Sequence, residues 1–502
     1  MASSASAPAA PPQSLAEYFA PFRANILGID TQFETYNGDI RPIRYADWTA
    51  SGRLYAPIER QLSLGFGQYV ANTHTETNMT GSLMTMAYHE AKHLIKQHVG
   101  ANDRDILVLV GSGMTAAINK WQRILGLRIP EQMAAQVRIA PHDRPVVFVT
   151  HMEHHSNQTT WIETICEVVV VPPDSEGLVS VANFEAAIAQ YADRPHKIAA
   201  ITGCSNITGI QTPYHAIAKL IHRAGGHCFV DFACSAPYVD INMHPADAEE
   251  KLDAIYFSPH KFLGGPGTCG VLLFDAELYT LQTPDQPGGG TVKWTNPWGK
   301  HSYIDNIEDR EDGGTPPFLQ GIKTAMCVQL KEKMGVANII AREHELLQII
   351  LPRLAAIANV NVLAANITDR LGVISFYIND LHYNLAVRLL NDLHGIQVRG
   401  GCSCAGTYGH FLLNVDETFS NSITCEIDRG DLSNKPGWVR MSIHPTMTDA
   451  EAVYICNAIL DIAENHAALR EKYEYCVSTN EFSPKQPHTN KERALMQSLF
   501  AW

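Results

Sequence analysis

The chain has 502 residues, of which 45% are hydrophobic, and its 52 acidic and 38 basic side chains give a formal net charge of −14. A chain of this length exceeds one ordinary hydrophobic core, so we expect two domains with additional arms. The acidic balance argues against a nucleic-acid partner, and the apolar runs are too short to predict a membrane span.

The N-terminal segment 1–14, MASSASAPAAPPQS, lacks the basic start and the apolar stretch of a secretion signal, and it predicts a disordered tail. The apolar spacing that follows, LAEYFAPFRANILGI, predicts a helix that is interrupted at Pro21. Eleven cysteines are scattered along the chain rather than set at framework spacings. This distribution favours reduced thiols and a cytoplasmic location.

Seven short apolar segments of the kind that form buried strands begin near residues 106, 146, 167, 197, 227, 254 and 270. Helical stretches lie between most of them, so the pattern predicts an α/β fold with a mainly parallel sheet of seven strands. A long helical stretch from Gln320 onward is expected to bend or break near Gly335. It leads into a smaller C-terminal domain with its own strands.

A strand, a glycine turn and a helix start are predicted at residues 106–119, ILVLVGSGMTAAIN. Such a junction presents free backbone N–H groups and the positive end of the helix dipole, which suits a phosphate. The G-x-G spacing also occurs in dinucleotide-binding folds. That alternative is weaker, because no acidic residue ends a second strand about twenty residues later.

Three histidines fall within residues 151–155, directly after the predicted strand PVVFVT (145–150). Their density raises the alternative of a zinc site. Since no second pair of ligands follows at a typical spacing, we expect no metal here.

Lys261 stands between a short predicted strand and a glycine-rich turn, in the segment AIYFSPHKFLGGPGTCG (254–270). The glycines let the backbone approach a ligand closely. A lysine that is sheltered from water has a lowered pKa and acts as a base or forms a Schiff base with a carbonyl. Pyridoxal phosphate is the carbonyl cofactor that uses lysine in this way, and it needs an acidic partner for its ring nitrogen.

Asp231 is the candidate acidic partner, because it ends the predicted buried strand HCFVD (227–231). The carboxyl edge of a parallel sheet is where open α/β folds bind ligands. Taken singly, Asp231 is better explained as a cap of the next segment, and Lys261 as a surface charge. Their occurrence at the ends of consecutive strands favours a cofactor site.

The segments VDFACSAPYVDI (230–241) and DAIYFSPHKFLGGPGTCGVLLF (253–274) resemble the cofactor-lysine region of class V aminotransferase-fold enzymes. These are pyridoxal-phosphate enzymes of fold type I, and the resemblance is to their cysteine desulfurase and selenocysteine lyase branch. It runs from about residue 45 to residue 468. It implies an N-terminal tail and arm (1–44), a large cofactor-binding domain with the seven-stranded sheet (45–320), a smaller α/β domain (321–470) and a C-terminal extension (471–502).

The resemblance also implies roles for individual residues. Residues 153–157 are similar to the EHHxN motif, in which the first histidine, His154 here, stacks on the pyridine ring and can relay protons. Asn206 is implied to donate to the phenolic oxygen of the cofactor, and Thr315 to reach the cofactor phosphate of the partner subunit in a homodimer. His74 falls where related enzymes carry active-site contacts, although an exposed histidine is the better explanation. The implied cofactor-binding set is Lys261, Asp231, His154, Asn206, Met114, Thr115, Ser258, His260 and Thr315.

A cysteine motif lies in VRGGCSCAGTYGH (398–410), whose Arg-x-Gly-x-x-Cys-Ala spacing matches the desulfurase and lyase pattern. In that pattern the cysteine, Cys404 here, takes sulfur or selenium from the substrate, and Arg399 supplies positive charge nearby. Arg440 matches the arginine that binds the substrate carboxylate, and Arg399 is grouped with it. The role of Cys402 is open between protecting, resolving and packing.

The resemblance implies an enzyme that removes sulfur from L-cysteine, or from a related thio or seleno amino acid, through a persulfide on Cys404, and that releases alanine. A protein is the candidate sulfur acceptor. The alternatives are a class V aminotransferase, epimerase or carbon–sulfur lyase in which Cys404 is not catalytic, and a cofactor-binding scaffold without activity. Cys234 replaces the usual glutamine and Tyr238 a common histidine. The interval between Cys404 and Arg440 is longer than usual and is predicted to cover the mouth of the site.

Overall fold

The structure is a computed structural model that describes residues 14–35, 38–73, 75–485 and 491–501. The predicted tail, apart from Ser14, and His74 lie outside the described residues. Across the described ranges, no helix combines the length and the apolar character that crossing a bilayer requires.

The N-terminal segment precedes both sheets in the chain and contacts both of the units that contain them. It contains α1 (Leu15–Arg23), β1 (Gln32–Glu34), β2 (Ile40–Pro42), β3 (Arg44–Tyr45), α2 (Ala56–Arg60), a π-helix (Gln61–Gly65), a 3₁₀ helix (Phe66–Tyr69) and α3 (Met79–His98).

Helix α1 continues through Pro21, so the predicted interruption is wrong. A proline removes one intrahelical hydrogen bond and crowds the preceding turn. In α1, which has only nine residues, two features offset this cost. The Ser14 hydroxyl caps the helix by accepting from the backbone N–H of Glu17, and the side chains of Phe19 and Phe22 are buried. Tertiary packing therefore outweighs the local signal of the proline.

The central sheet has seven strands, as predicted. They are β4 (Asp105–Val110), β5 (Val146–Thr150), β6 (Glu167–Val171), β7 (Lys197–Thr202), β8 (His227–Asp231), β9 (Ala254–Phe257) and β10 (Gly270–Asp275). The spatial order is β4-β10-β9-β8-β7-β5-β6, in which β5 to β9 run parallel and β10 is antiparallel to both of its neighbours. The helices between these strands are α4 (Met114–Ile124), α5 (Glu131–Ala134), α6 (His155–Ile162), α7 (Val181–Gln190) and α8 (Tyr214–Arg223).

Strands β5 and β7 are buried along their whole length, which explains why they read as continuous apolar runs. Because β5, β7, β8 and β9 are parallel, their last residues, Thr150, Thr202, Asp231 and Phe257, meet at one edge of the sheet. The segments that follow these four strands supply most of the candidate site.

The remaining elements follow the central sheet in the chain. They are β11 (Val292–Thr295), β12 (His301–Tyr303), α9 (Ile307–Glu311), α10 (Phe318–Met334), α11 (Val336–Ala355), β13 (Val360–Val362), β14 (Val373–Ile378), α12 (Tyr383–His394), β15 (Ile396–Gln397), β16 (Arg399–Gly401), α13 (Gly406–Leu412), α14 (Glu417–Asp428), β17 (Trp438–Ser442), α15 (Asp449–Arg470), β18 (Tyr473–Cys476), β19 (Glu481–Pro484) and α16 (Lys491–Leu499).

The break expected near Gly335 separates α10 from α11. Gly335 has φ +76°, in the left-handed region that favours glycine. Beyond it, the antiparallel strands β13-β14-β17-β16 form a second sheet. Helices α11 and α12 pack on that sheet and α15 packs on both helices, around a second hydrophobic cluster. Strand β3 pairs with β15, so the N-terminal segment joins this second unit.

Candidate active site

A cavity of about 260 Å³ opens at the carboxyl edge of the central sheet, next to β16 and β17 of the second sheet. Among the residues that the structure describes, it brings together the candidates for cofactor, substrate or chemistry, except Thr315. Those lining it are Met114, Thr115, His154, Asn206, Asp231, Ser258, His260, Lys261, Arg399, Cys404 and Arg440.

Lys261 and Asp231 both line this cavity and have opposite pKa shifts. Desolvation lowers the pKa of the Lys261 amine, which eases its use as a base. Asp231 is 2% exposed, and burial raises the pKa of its carboxyl to about 6. One oxygen of that carboxyl, Oδ1, accepts a hydrogen bond from the backbone N–H of Ala233 at 2.8 Å. This fixes the carboxylate at the end of β8.

The turn that carries Lys261 is backed by the N-terminal segment. The backbone N–H of Gly52 donates to the carbonyl of His260 at 2.9 Å, and that of Gly264 donates to the carbonyl of Arg53 at 2.7 Å. A Cβ atom on Gly52 would lie 1.9 Å from the carbonyl oxygen of Phe262, so only glycine fits. The lysine turn is therefore held by residues that lie about 200 positions away in the sequence.

The N-terminus of α4 faces the cavity beside the lysine turn. Its first backbone N–H, that of Met114, donates to the hydroxyl of Ser258 at 2.8 Å. A Cβ atom on Gly113 would lie 3.0 Å from the same hydroxyl, so the turn before α4 packs closely on this corner. Thr115 and His260 line the same part of the cavity. Such a corner, at a helix N-terminus, is chemically suited to a phosphate.

His154 caps the N-terminus of α6. Its Nδ1 accepts from the backbone N–H of Ser156 at 3.0 Å, which assigns the ring proton of the neutral form to Nε2. Burial lowers the pKa of the imidazole to about 3. A neutral ring at the cavity wall is suited to stacking.

Glu153, which the sequence analysis did not single out, is fully buried directly before His154. Its Oε1 accepts from the backbone N–H of Thr202 at 2.9 Å, and its Oε2 accepts from the side chain of Asn157 at 2.7 Å. The amide oxygen of Asn157 in turn accepts from the hydroxyl of Tyr256 at 2.7 Å. The first and last residues of the EHHxN motif thus tie the end of β7 and strand β9 together beneath His154. Burial raises the pKa of Glu153 to about 7.

Both candidate substrate-binding arginines are paired with one carboxylate, that of Asp47. Arg440 donates through Nη2 to Asp47 Oδ1 at 3.0 Å, and Arg399 donates through Nη2 to Asp47 Oδ2 at 3.0 Å. Two guanidinium groups and one carboxylate leave one net positive charge, which suits a ligand with a single carboxylate. Asp47 lies some 350 residues before Arg399, so local sequence gives no signal for it.

Cys404 is exposed and lines the cavity from the loop between β16 and α13. Ser403 and Cys404 have φ values of 49° and 59°, a left-handed conformation that costs roughly 1–2 kcal/mol for each non-glycine residue. The side-chain amide of Asn206, which was expected to donate to a cofactor oxygen, donates to the carbonyl of Ser403 at 2.7 Å. Cys402 is half-buried and packs against the core beneath the central sheet.

Cys234 and Tyr238, the two residues that differ from the pattern of the resembled family, lie in different surroundings. Cys234 lies in the cavity wall, and its thiol donates to the carbonyl of Ser205, as does the thiol of Cys204. The neighbouring Cys204 thiol lowers the pKa of Cys234, and Lys261 acts in the same direction. Tyr238 instead points into the core, where it is 3% exposed.

Thr315 is the predicted site residue that lies outside this cavity. It lines a separate cavity with Gly111 and Ser112, next to the glycine turn before α4. The long interval between Cys404 and Arg440 folds into α13 and α14. None of its described residues 405–439 lines the cavity, and its role as a cover over the mouth stays a prediction.

Comparisons with known proteins agree with the motifs. A model of the aminotransferase class-V family matches residues 44–454. A probable cysteine desulfurase of Halalkalibacterium halodurans is 28% identical over 368 residues, which cover 72% of this chain and 84% of that protein. Probable cysteine desulfurase 1 of Mycobacterium leprae is 28% identical over 74% of this chain and 57% of its own length. The apo structure of cysteine desulfurase from Thermococcus onnurineus has a TM-score of 0.68 at 22% identity, covering 84% of this chain and 95% of that one. The predicted fold type I class is confirmed.

The residues of the cavity fit pyridoxal phosphate, the cofactor of this enzyme family. A lysine amine, a buried carboxylate, a neutral imidazole and a helix N-terminus are the four groups that a pyridine aldehyde with a phosphate requires. Lys261, Asp231, His154 and Met114 supply them around one cavity.

Proposed function

The chain belongs to the aminotransferase class-V family, and from that membership we propose that it is a cysteine desulfurase. The reaction converts L-cysteine to alanine and leaves the sulfur on Cys404 as a persulfide. The observation that carries the proposal is the exposed Cys404 thiol in the same cavity as Lys261 and Arg440. An aminotransferase or epimerase has no need of a thiol there.

Pyridoxal phosphate, when bound, supplies a carbonyl for the substrate amine and a ring that withdraws electrons from the substrate. Asp231 would pair with the ring nitrogen, His154 would stack on the ring, and Met114, Thr115, Ser258 and His260 would surround the phosphate. Asn206 holds the loop of Cys404 through the carbonyl of Ser403, and it would also face the phenolic oxygen of the cofactor.

Lys261 acts as the base. Its lowered pKa increases the fraction of neutral amine at Nζ, which takes the proton from the substrate Cα and can return a proton to the product. Arg440 and Arg399 bind the substrate carboxylate and so orient the Cα–H bond towards Lys261.

Cys404 is the nucleophile. Its thiolate attacks the sulfur of the substrate, an S–S bond forms, the Cβ–S bond breaks, and the electron pair of that bond is protonated at Cβ to give alanine. The sulfur transferred is oxidised from the thiol to the sulfane level, and the substrate carbon is reduced, so no external oxidant is needed.

We also infer a homodimer, in which Thr315 of each subunit reaches the cofactor phosphate of the other. Its position in a separate cavity, beside the glycine turn before α4, is compatible with a contact made across an interface. A protein thiol is the proposed sulfur acceptor. A cytoplasmic location would keep the thiol of Cys404 reduced.

The test is the release of alanine and sulfide from L-cysteine by the purified holoenzyme with a reductant present. Cys404→Ala should abolish both products and retain the visible absorbance of the bound cofactor. Cys425→Ala, at another exposed cysteine, is the matched control. Sulfide release that survives Cys404→Ala, or steady formation of a keto acid in the wild type, would replace desulfuration with lyase or transamination chemistry.

A further inference from the structure

His155, the first residue of α6, makes two hydrogen bonds to the loop that carries Cys404. The backbone N–H of His155 donates to the carbonyl of Cys404 at 2.7 Å. Its imidazole Nε2 accepts from the backbone N–H of Gly406 at 2.9 Å. These two hydrogen bonds lie on either side of Ala405, which is completely buried.

A loop with two consecutive left-handed residues needs such support. Ser403 and Cys404 have positive φ values, and strained residues persist only where the surroundings fix them. The loop follows β16 of the second sheet, whereas His155 begins a helix that follows β5 of the central sheet. The side chain of Thr407 adds a hydrogen bond to Gln158 on the same helix, at 2.8 Å.

We propose that His155 is a positioning residue that fixes the Cys404 thiol relative to the substrate site. This inference rests on the proposed desulfurase function. His154, the neighbouring residue, lines the cavity as the candidate for stacking, so one helix N-terminus sets both the ring face and the nucleophile loop. The imidazole serves as a hydrogen-bond acceptor and has no contact with the reacting atoms.

The acceptor role requires neutral imidazole with its proton on Nδ1. Burial lowers the pKa of His155, and the Lys435 cation acts in the same direction, so the ring is neutral at neutral pH. A glutamine side chain can place its amide oxygen where Nε2 lies, whereas leucine fills a similar volume without an acceptor. This pair of substitutions separates the hydrogen bond from packing.

The experiment compares holoenzyme carrying His155→Leu and His155→Gln with the wild type. We expect His155→Leu to slow persulfide formation on Cys404 about 10- to 100-fold, because small displacements of a reacting group cost about this much. Its KM for L-cysteine and its rate of Cα–H exchange with L-alanine in D₂O should stay within about threefold, since neither depends on the nucleophile. His155→Gln should recover most of the persulfide rate.

Two further measurements do not depend on turnover. In His155→Leu, hydrogen exchange of the Gly406 amide should speed up at least about tenfold, and the alkylation rate of Cys404 by iodoacetamide should change, with both returning towards wild type in His155→Gln. His410→Leu is the control. His410 also bonds to Gly406, but to its carbonyl and from within α13, so its loss should leave the Gly406 amide protected.

Wild-type persulfide rates and Gly406 protection in His155→Leu would overturn the proposal. An equal loss of Cα–H exchange in both variants would also overturn it, because that pattern marks general damage to the site. If the wild type forms no persulfide while the exchange and alkylation effects persist, the desulfurase function fails and the positioning role stands.

Discussion

Asp47 holds both arginines of the candidate substrate site, and replacing it gives a quantitative test of that arrangement. Asp47→Asn keeps the shape of the side chain and removes its charge. The side chains of Asp47 and Arg440 are 11% and 5% exposed, so the substitution leaves a buried guanidinium without its anion. Breaking a buried ion pair in this way costs about 3–5 kcal/mol.

The ion pair between Arg399 and Asp47 contributes less to stability, because the side chain of Arg399 is 54% exposed. Exposed pairs contribute about 1 kcal/mol or less. The asparagine oxygen can still accept one hydrogen bond. We therefore expect Asp47→Asn to lower the free energy of unfolding by about 3 kcal/mol, the lower end of the range for buried pairs. Because Arg440 loses its orientation, kcat/KM for L-cysteine should also fall about tenfold or more.

Urea unfolding of Asp47→Asn, Arg440→Met and the double variant provides the measurement. If the two side chains act as a pair, the double variant should be little less stable than the worse of the two single variants. Additive losses, or a wild-type unfolding midpoint in Asp47→Asn, would refute the reasoning.

Three other predictions follow from buried groups and close contacts. Burial raises the pKa of Glu343 from 4.5 to about 8, so its contribution to folding is complete below pH 4.5 and is lost as the pH rises towards 8. Between pH 5 and pH 8, the free energy of unfolding in urea should fall by up to about 4 kcal/mol in the wild type and not in Glu343→Gln. An equal change in both proteins would contradict this prediction. Gly52→Ala should displace the lysine turn, because its Cβ would meet the carbonyl of Phe262, and should lower the cofactor content of the purified protein; full occupancy would show that the turn can move. Thr315→Val should speed cofactor loss on dilution, whereas the exposed control Thr280→Val should not, and identical rates would remove Thr315 from the phosphate site.

The central sheet was predictable because its strands are buried on both faces. β5 is apolar except for its last residue, Thr150, and β7 is apolar between Lys197 and Thr202, which is typical of strands buried in a parallel sheet. The break at Gly335 was predictable for a local reason as well, since a positive φ value is required there. The interruption predicted at Pro21 was wrong, because the continuity of α1 depends on packing against residues outside the helix.

The site was predictable where one residue carries the signal. Lys261, Cys404 and His154 stand in motifs, so their types and spacing are visible in the sequence, and the structure gathers them around one cavity. Asp47 and His155 act through contacts with residues that are hundreds of positions away, and no local pattern reports such contacts.

The hydrogen bond between Asp47 and Arg440 joins residues 393 positions apart, so the two residues are synthesised at different times. At a synthesis rate of about 5–20 residues per second, Arg440 is added to the chain roughly 20–80 s after Asp47. All residues of the central sheet have been synthesised well before then, since β10 ends at Asp275. The segment that carries Lys261 is therefore synthesised before the arginines that would orient a substrate beside it.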